Sequence, residues 1–148
     1  MSVAFRRESD DEHLEPKFER PIAPGPNLVT PRGLELIRAE VARLEAAIAS
    51  AGADEVEALR RDLRYWHTRQ ATAELAPPPP DGEVGIGSRV TIRQNDQPRT
   101  VEIVGGDEAD PARGLIGFQA PLARALIGGY EGEEVDFGGA MITIVEIG

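Results

Sequence analysis

Residues 77–80 are four consecutive prolines, and neither a helix nor a central strand can run through them, because each proline fixes its own φ and removes a backbone donor. The chain therefore divides into two parts, and the hydrophobic period differs between them. Before the prolines, Leu34, Ile37, Val41, Leu44 and Ile48 are spaced three, four, three, four, which is the stripe of a coiled-coil helix. Thr30 is placed to cap that helix, Pro31 suits its first position, and "SAG" ending at Gly52 closes it. Val56, Leu59, Leu63 and Trp66 then repeat the spacing, continued more weakly by Gln70 and Ala73. Two such helices joined by a short turn must lie antiparallel, each burying its stripe on the other. The expected unit is a helical hairpin over residues 30–76 with arms of about 20 residues, roughly 30 Å each.

Beyond the prolines, which are expected to act as a stiff linker over residues 77–82, the period changes to two. "SRVTIRQ", "RTVEIVG", "GLIGF", "EVDF" and "MITIVEI" are short β-rich runs separated by turn residues. Only "PLARALIG" is helical in pattern, with Pro121 at its start and Gly128 and Gly129 at its end. Residues 83–148 are thus expected to form a small, mostly antiparallel sheet with one short helix on it, and the whole chain is α+β. Residues 1–29, with "RPIAPGPN", are expected to be an extended or disordered arm.

Charge and composition narrow the chemistry. A formal charge of -10 and a pI near 4.7 disfavour direct binding to nucleic acid, whose phosphates would repel the protein. With no Cys in the chain, disulfides, thiolate nucleophiles and sulfur-ligated metal sites are excluded together. His13 and His67 lie far apart, Ser88 has no evident base, and "GIGS" has no following Lys to make a phosphate loop. No catalytic residue and no metal site of its own is expected. The N-terminus carries no apolar segment of signal-peptide length and no run approaches the roughly 18 apolar residues of a membrane span, so a soluble cytoplasmic protein is expected.

Two places invite a functional reading. At the hairpin turn, "ADEVE" puts Asp54, Glu55 and Glu57 at the end of a rigid arm, where carboxylates could help hold a hydrated Mg²⁺ in a partner's site. The same residues also suit a helix N-terminus, with Asp54 and Glu57 spaced as a capping box. The second place is "GDEADPARGLIGFQAPLARALIGG", an acidic turn followed by the short helix. Tyr65 and Trp66 are expected to pack where the hairpin meets the sheet.

Taken in order, "GSRVTI", "VEIVGGDEAD", "GLIGFQAPLARALIGGYEGEEVDF" and "ITIVEI", together with "VTPRGLELIRAEVARL", resemble the bacterial Gre-type (GreA/GreB) transcription elongation factors over roughly residues 28–148. The resemblance implies an N-terminal antiparallel coiled coil followed by an FKBP-like sheet domain. It implies a partner, RNA polymerase, with the sheet domain docked at the rim of the secondary channel and the coiled coil directed to the catalytic centre. It further implies that any RNA cleavage is performed by the polymerase, and that the only metal concerned is the polymerase's Mg²⁺. Docking would use Asp107 and Asp110 of the acidic turn and Pro121, Leu122, Arg124, Ala125 and Leu126 of the short helix, of which Leu122, Ala125 and Leu126 are also available to the sheet. The family's tip runs approximately "GDLSENAEY" where this chain has "AGADEVEAL", and each arm is about three turns shorter, roughly 16 Å. Asp54 and Glu57 match the family's tip acids in type and spacing, and a short-coil relative that binds polymerase without stimulating cleavage is the alternative. A monomer is expected. A generic coiled-coil interaction module, or a peptidyl-prolyl isomerase by fold analogy, are the competing readings; the second would need an aromatic pocket that the few aromatic residues hardly supply.

Overall fold

The computed structural model describes residues 19–148. Chain order is β1 (Leu28–Val29), α1 (Pro31–Ala49), α2 (Ala53–Thr72), β2 (Glu74–Leu75), β3 (Arg89–Gln94), β4 (Gln97–Val104), a 3₁₀ turn (Pro111–Arg113), β5 (Leu115–Gly117), α3 (Pro121–Leu126), β6 (Glu134–Phe137) and β7 (Ala140–Ile147). The fold is the α+β arrangement of a helical hairpin followed by a curled sheet domain.

Helix α1 starts as its sequence dictates. The Thr30 hydroxyl accepts from the Gly33 amide at 2.9 Å and Pro31 fills the first position, so the free end is capped without a lost donor. Ile37, Val41 and Leu44 are buried along the face that meets α2. On α2 the stripe Val56, Leu59, Leu63 and Trp66 is only half-buried. Gly52, expected to close α1, instead caps the start of α2, and Ser50 ends α1.

The five-stranded sheet has the order β5-β4-β3-β7-β6. Strands β3 and β4 form a hairpin whose two-residue loop, Asn95 and Asp96, has φ of 54° and 61°, the left-handed pair whose twist matches the flanking strands. Alternation does the rest. Val90 and Ile92 of β3, Val101 and Ile103 of β4, and Ile142 and Ile144 of β7 face one side, where Ala123 and Leu126 of α3 cover them. Arg89, Thr91 and Arg93 alternate onto the open side. One pairing departs from the antiparallel expectation: β5 runs parallel to β4, with Ile103 opposite Ile116. The connection through residues 105–114 is too long for a tight hairpin and carries the chain back before it pairs.

The expected arm over residues 1–29 needs revision at its C-terminal end; residues 1–18 lie outside the described residues. Leu28–Val29 pairs in parallel with Glu74–Leu75, and Asn27 and Val29 are buried. This small sheet joins the chain entering α1 to the chain leaving α2. It also presses on the body: a Cβ at Gly105 would stand 2.5 Å from the Leu28 carbonyl oxygen, so only glycine allows that approach.

Candidate functional site: the hairpin joint and its tip

The acidic turn after β4 is where the hairpin is fastened. Its two consecutive carboxylates each hold a different helix. Asp107 accepts from the Tyr65 hydroxyl at 2.5 Å and from Arg69 Nε at 2.6 Å, both on α2. Arg69 and Asp107 are each 8% exposed, so this is a buried ion pair. Both carboxylate oxygens of Asp107 accept a hydrogen bond, as burial demands. Arg69 Nη2 donates to Asn27 Oδ1 at 2.8 Å, while Asn27 Nδ2 donates to the Arg69 carbonyl at 2.9 Å and to the Thr72 hydroxyl at 3.1 Å. Burial, followed by the hydrogen bond to Asp107, pushes the Tyr65 phenol above its ordinary pKa.

Glu108 does the same for α1. One oxygen accepts from the Thr30 hydroxyl at 2.6 Å and the other from Arg32 Nε at 2.6 Å. Arg32 Nη2 reaches Glu102 of β4 at 2.5 Å, and the bonds to Glu102 and then Glu108 raise the guanidinium pKa further. A Cβ at Gly33 would come 2.9 Å from Glu108 Oε1, so the carboxylate's approach depends on that glycine. Outside this core, the Arg20 guanidinium lies 3.9 Å from the Tyr65 ring centroid, and Tyr65 meets Trp66 edge to face at 5.2 Å.

The tip differs in every respect. Asp54, Glu55 and Glu57 are exposed, with a loose pair between Glu57 and Arg60 at 3.4 Å. The capping box expected there does not form: Gly52 is the cap, it makes no side-chain bond, and Asp54 already lies inside the helix. Among the described residues, no group of three or more His, Cys, Asp or Glu side chains is placed to hold a metal ion.

The docking candidates separate into available and unavailable groups. Pro121 and Arg124 are exposed, Leu122 and Ala125 are half-buried, and Asp110 is partly open. Leu126 has no exposed surface and belongs to the core, together with Ala123, so it cannot contact a partner. Asp107 is likewise spent on Tyr65 and Arg69. Beside the acidic turn, Gly106, Ala109, Ile116, Phe118 and Ala120 line an apolar cleft of about 300 Å³. Sequence reasoning missed Asn27, Arg69 and Glu108; their partners lie 38 to 78 residues away, and no local pattern marks them.

No helix among the described residues is long and apolar enough to cross a membrane. Residues 79–147 match the family described as "Transcription elongation factor, GreA/GreB, C-term". The GreA of Vibrio cholerae is 38% identical over 81 residues, a match spanning 53% of this chain and 52% of that protein, about half its length. The GreA of Ralstonia nicotianae is 33% identical over 132 residues, covering 71% of this chain and 84% of that protein. The solved structure of GreA factor homolog 1 (Gfh1) of Thermus thermophilus aligns at 18% identity, with 84% of this chain, 99% of that one and a TM-score of 0.42. With more than four-fifths of the Ralstonia protein matched at that identity, the chain belongs to the GreA/GreB family of transcription elongation factors.

Proposed function

We propose that this protein binds RNA polymerase as an accessory factor, with the sheet domain docked at the rim of the secondary channel and the hairpin directed inward. The observation that carries the reading is the division of labour between the carboxylates. Those at the base are bonded to the hairpin itself, whereas Asp54, Glu55 and Glu57 at the far end are exposed and free to meet a partner's metal or water. Docking falls to Asp110, Pro121, Leu122, Arg124 and Ala125 with the apolar cleft beside them, since Leu126 and Asp107 are committed elsewhere. The protein holds no cofactor in this reading; the Mg²⁺ and the hydrolytic chemistry belong to the polymerase.

The arms set the mode of action. At 19 and 20 residues they extend roughly 30 Å, and the family resemblance makes them about three turns short of a full-length coil, roughly 16 Å. We therefore favour a factor that occupies the channel and competes there, with weak or absent stimulation of transcript cleavage. Core polymerase from the same organism should retain the protein on an affinity column, and backtracked complexes should show little added cleavage. Strong cleavage that disappears in Asp54→Ala would overturn the competitor reading, and failure to bind polymerase would overturn the function itself.

A further inference from the structure

Residues 19–26, which lead into β1, bridge the hairpin and the sheet domain on the way. At one end Arg64 of α2 holds the Glu19 carboxylate through Nε and Nη2, both at 2.7 Å. Beside it the Arg20 guanidinium covers the Tyr65 ring and reaches Asp62 at 3.4 Å. At the other end Gln119 Nε2, between β5 and α3, donates to the Pro24 carbonyl at 3.2 Å. These contacts are exposed, and exposed ion pairs contribute little one by one. Pro21, Pro24 and Pro26 offset that weakness, because they restrict the free chain and lower the entropy lost in laying it down. The segment is a stiff strap, fastened to α2 at one end and to the sheet domain at the other.

Its sheet-domain end lies on the surface assigned to docking. Pro24, Phe118, Gln119 and Arg124 line a cavity of about 500 Å³. Phe118 is half-buried, while Pro24 and Arg124 are exposed. Although the chain is acidic, the Arg124 side chain pairs with no carboxylate among the described residues. We propose, resting on the docking reading above, that the strap completes this face: Pro24 and Phe118 receive an apolar side chain of the polymerase, and Arg124 receives a carboxylate next to it. A guanidinium pairs bidentately with a carboxylate, and an apolar contact flanked by a charge is the usual core and rim of an interface. Because the strap also grips α2 beside Tyr65, a partner seated on Pro24 helps to hold the hairpin.

The test uses the full chain. Glu19→Gln with Arg20→Ser releases the strap from α2 through two exposed residues that do not line the cavity. Matching thermal unfolding curves would verify that the released chain folds. Amide NMR should show the Gln119 side-chain signals moving in the released chain, and not in Met141→Ser, an exposed position on β7. On immobilised core polymerase from the same organism, the released chain should bind about three- to tenfold more weakly and Met141→Ser within about twofold of the parent. A parent chain that does not bind polymerase overturns the docking reading and this subsite with it. If the parent binds, a released chain that binds equally well, or more tightly as an inhibitory lid would require, overturns the strap's role alone. Unmoved Gln119 signals, or light scattering that shows a second copy of the chain occupying the face, would do the same.

Discussion

The two ends of the helical hairpin treat the same kind of residue in opposite ways. At the base, Asp107 and Glu108 are buried, and each of their oxygens accepts a hydrogen bond from a helix side chain. At the tip, Asp54, Glu55 and Glu57 stand in water with one loose pair among them. A buried carboxylate without partners is costly, so removing what it binds is felt by the whole fold. An exposed carboxylate contributes little to folding. Energy that fixes direction is therefore concentrated at the base, and the tip carboxylates are left in water.

That contrast can be broken most severely at Arg69. Arg69→Met removes the counter-charge of buried Asp107, which keeps only the Tyr65 hydroxyl, and leaves Asn27 Oδ1 without its donor, and urea unfolding should show a loss of about 3–5 kcal/mol. Adding Asp107→Leu should recover a large part of it, because the uncompensated charge is then gone. Glu108→Gln comes next: the fold keeps the shape but loses charge assistance to Thr30 and Arg32, at about 1–3 kcal/mol by the same measurement. Smaller still is Tyr65→Phe, at about 0.5–1.5 kcal/mol.

Tyr65 also has a pH signature. Its folded pKa lies above the ordinary tyrosine value, so its contribution is complete below pH of about 10 and is lost as pH rises through the folded value. Stability of the native chain should fall more steeply above that pH than stability of Tyr65→Phe. The smallest effect belongs to the tip, where Asp54→Ala and Glu57→Ala should each stay within about 0.5 kcal/mol of the parent. A tip substitution that destabilised as much as Arg69→Met would remove the distinction between the ends.

Much of the hairpin was legible because its signal is local. The three-four spacing from Leu34 to Ile48 needs only neighbouring turns, and Ile37, Val41 and Leu44 are buried as it implies. The alternation in Val90 and Ile92 likewise points its own residues into the core. The joint was not legible, for a physical reason. Arg69 lies beside Trp66 on α2, and a charged residue there looks like solvated surface until the sheet domain brings Asp107 to it from 38 residues away. "GDEAD" similarly looks like an exposed acidic turn, although Asp107 and Glu108 are enclosed by the hairpin's base. The order of buried positions on α3 was only partly visible, since Ala123 is too small to announce itself as core.

A hairpin held at one angle to its sheet domain is the central claim, and a distance measurement tests it directly. The chain has no Cys, so Ser50→Cys near the tip and Asp96→Cys on the β3–β4 turn can carry spin labels without background. Pulsed electron resonance should give one narrow distance distribution in the parent chain and a broad one after Arg69→Met with Glu108→Gln. A parent distribution as broad as that of the doubly substituted chain would contradict the account.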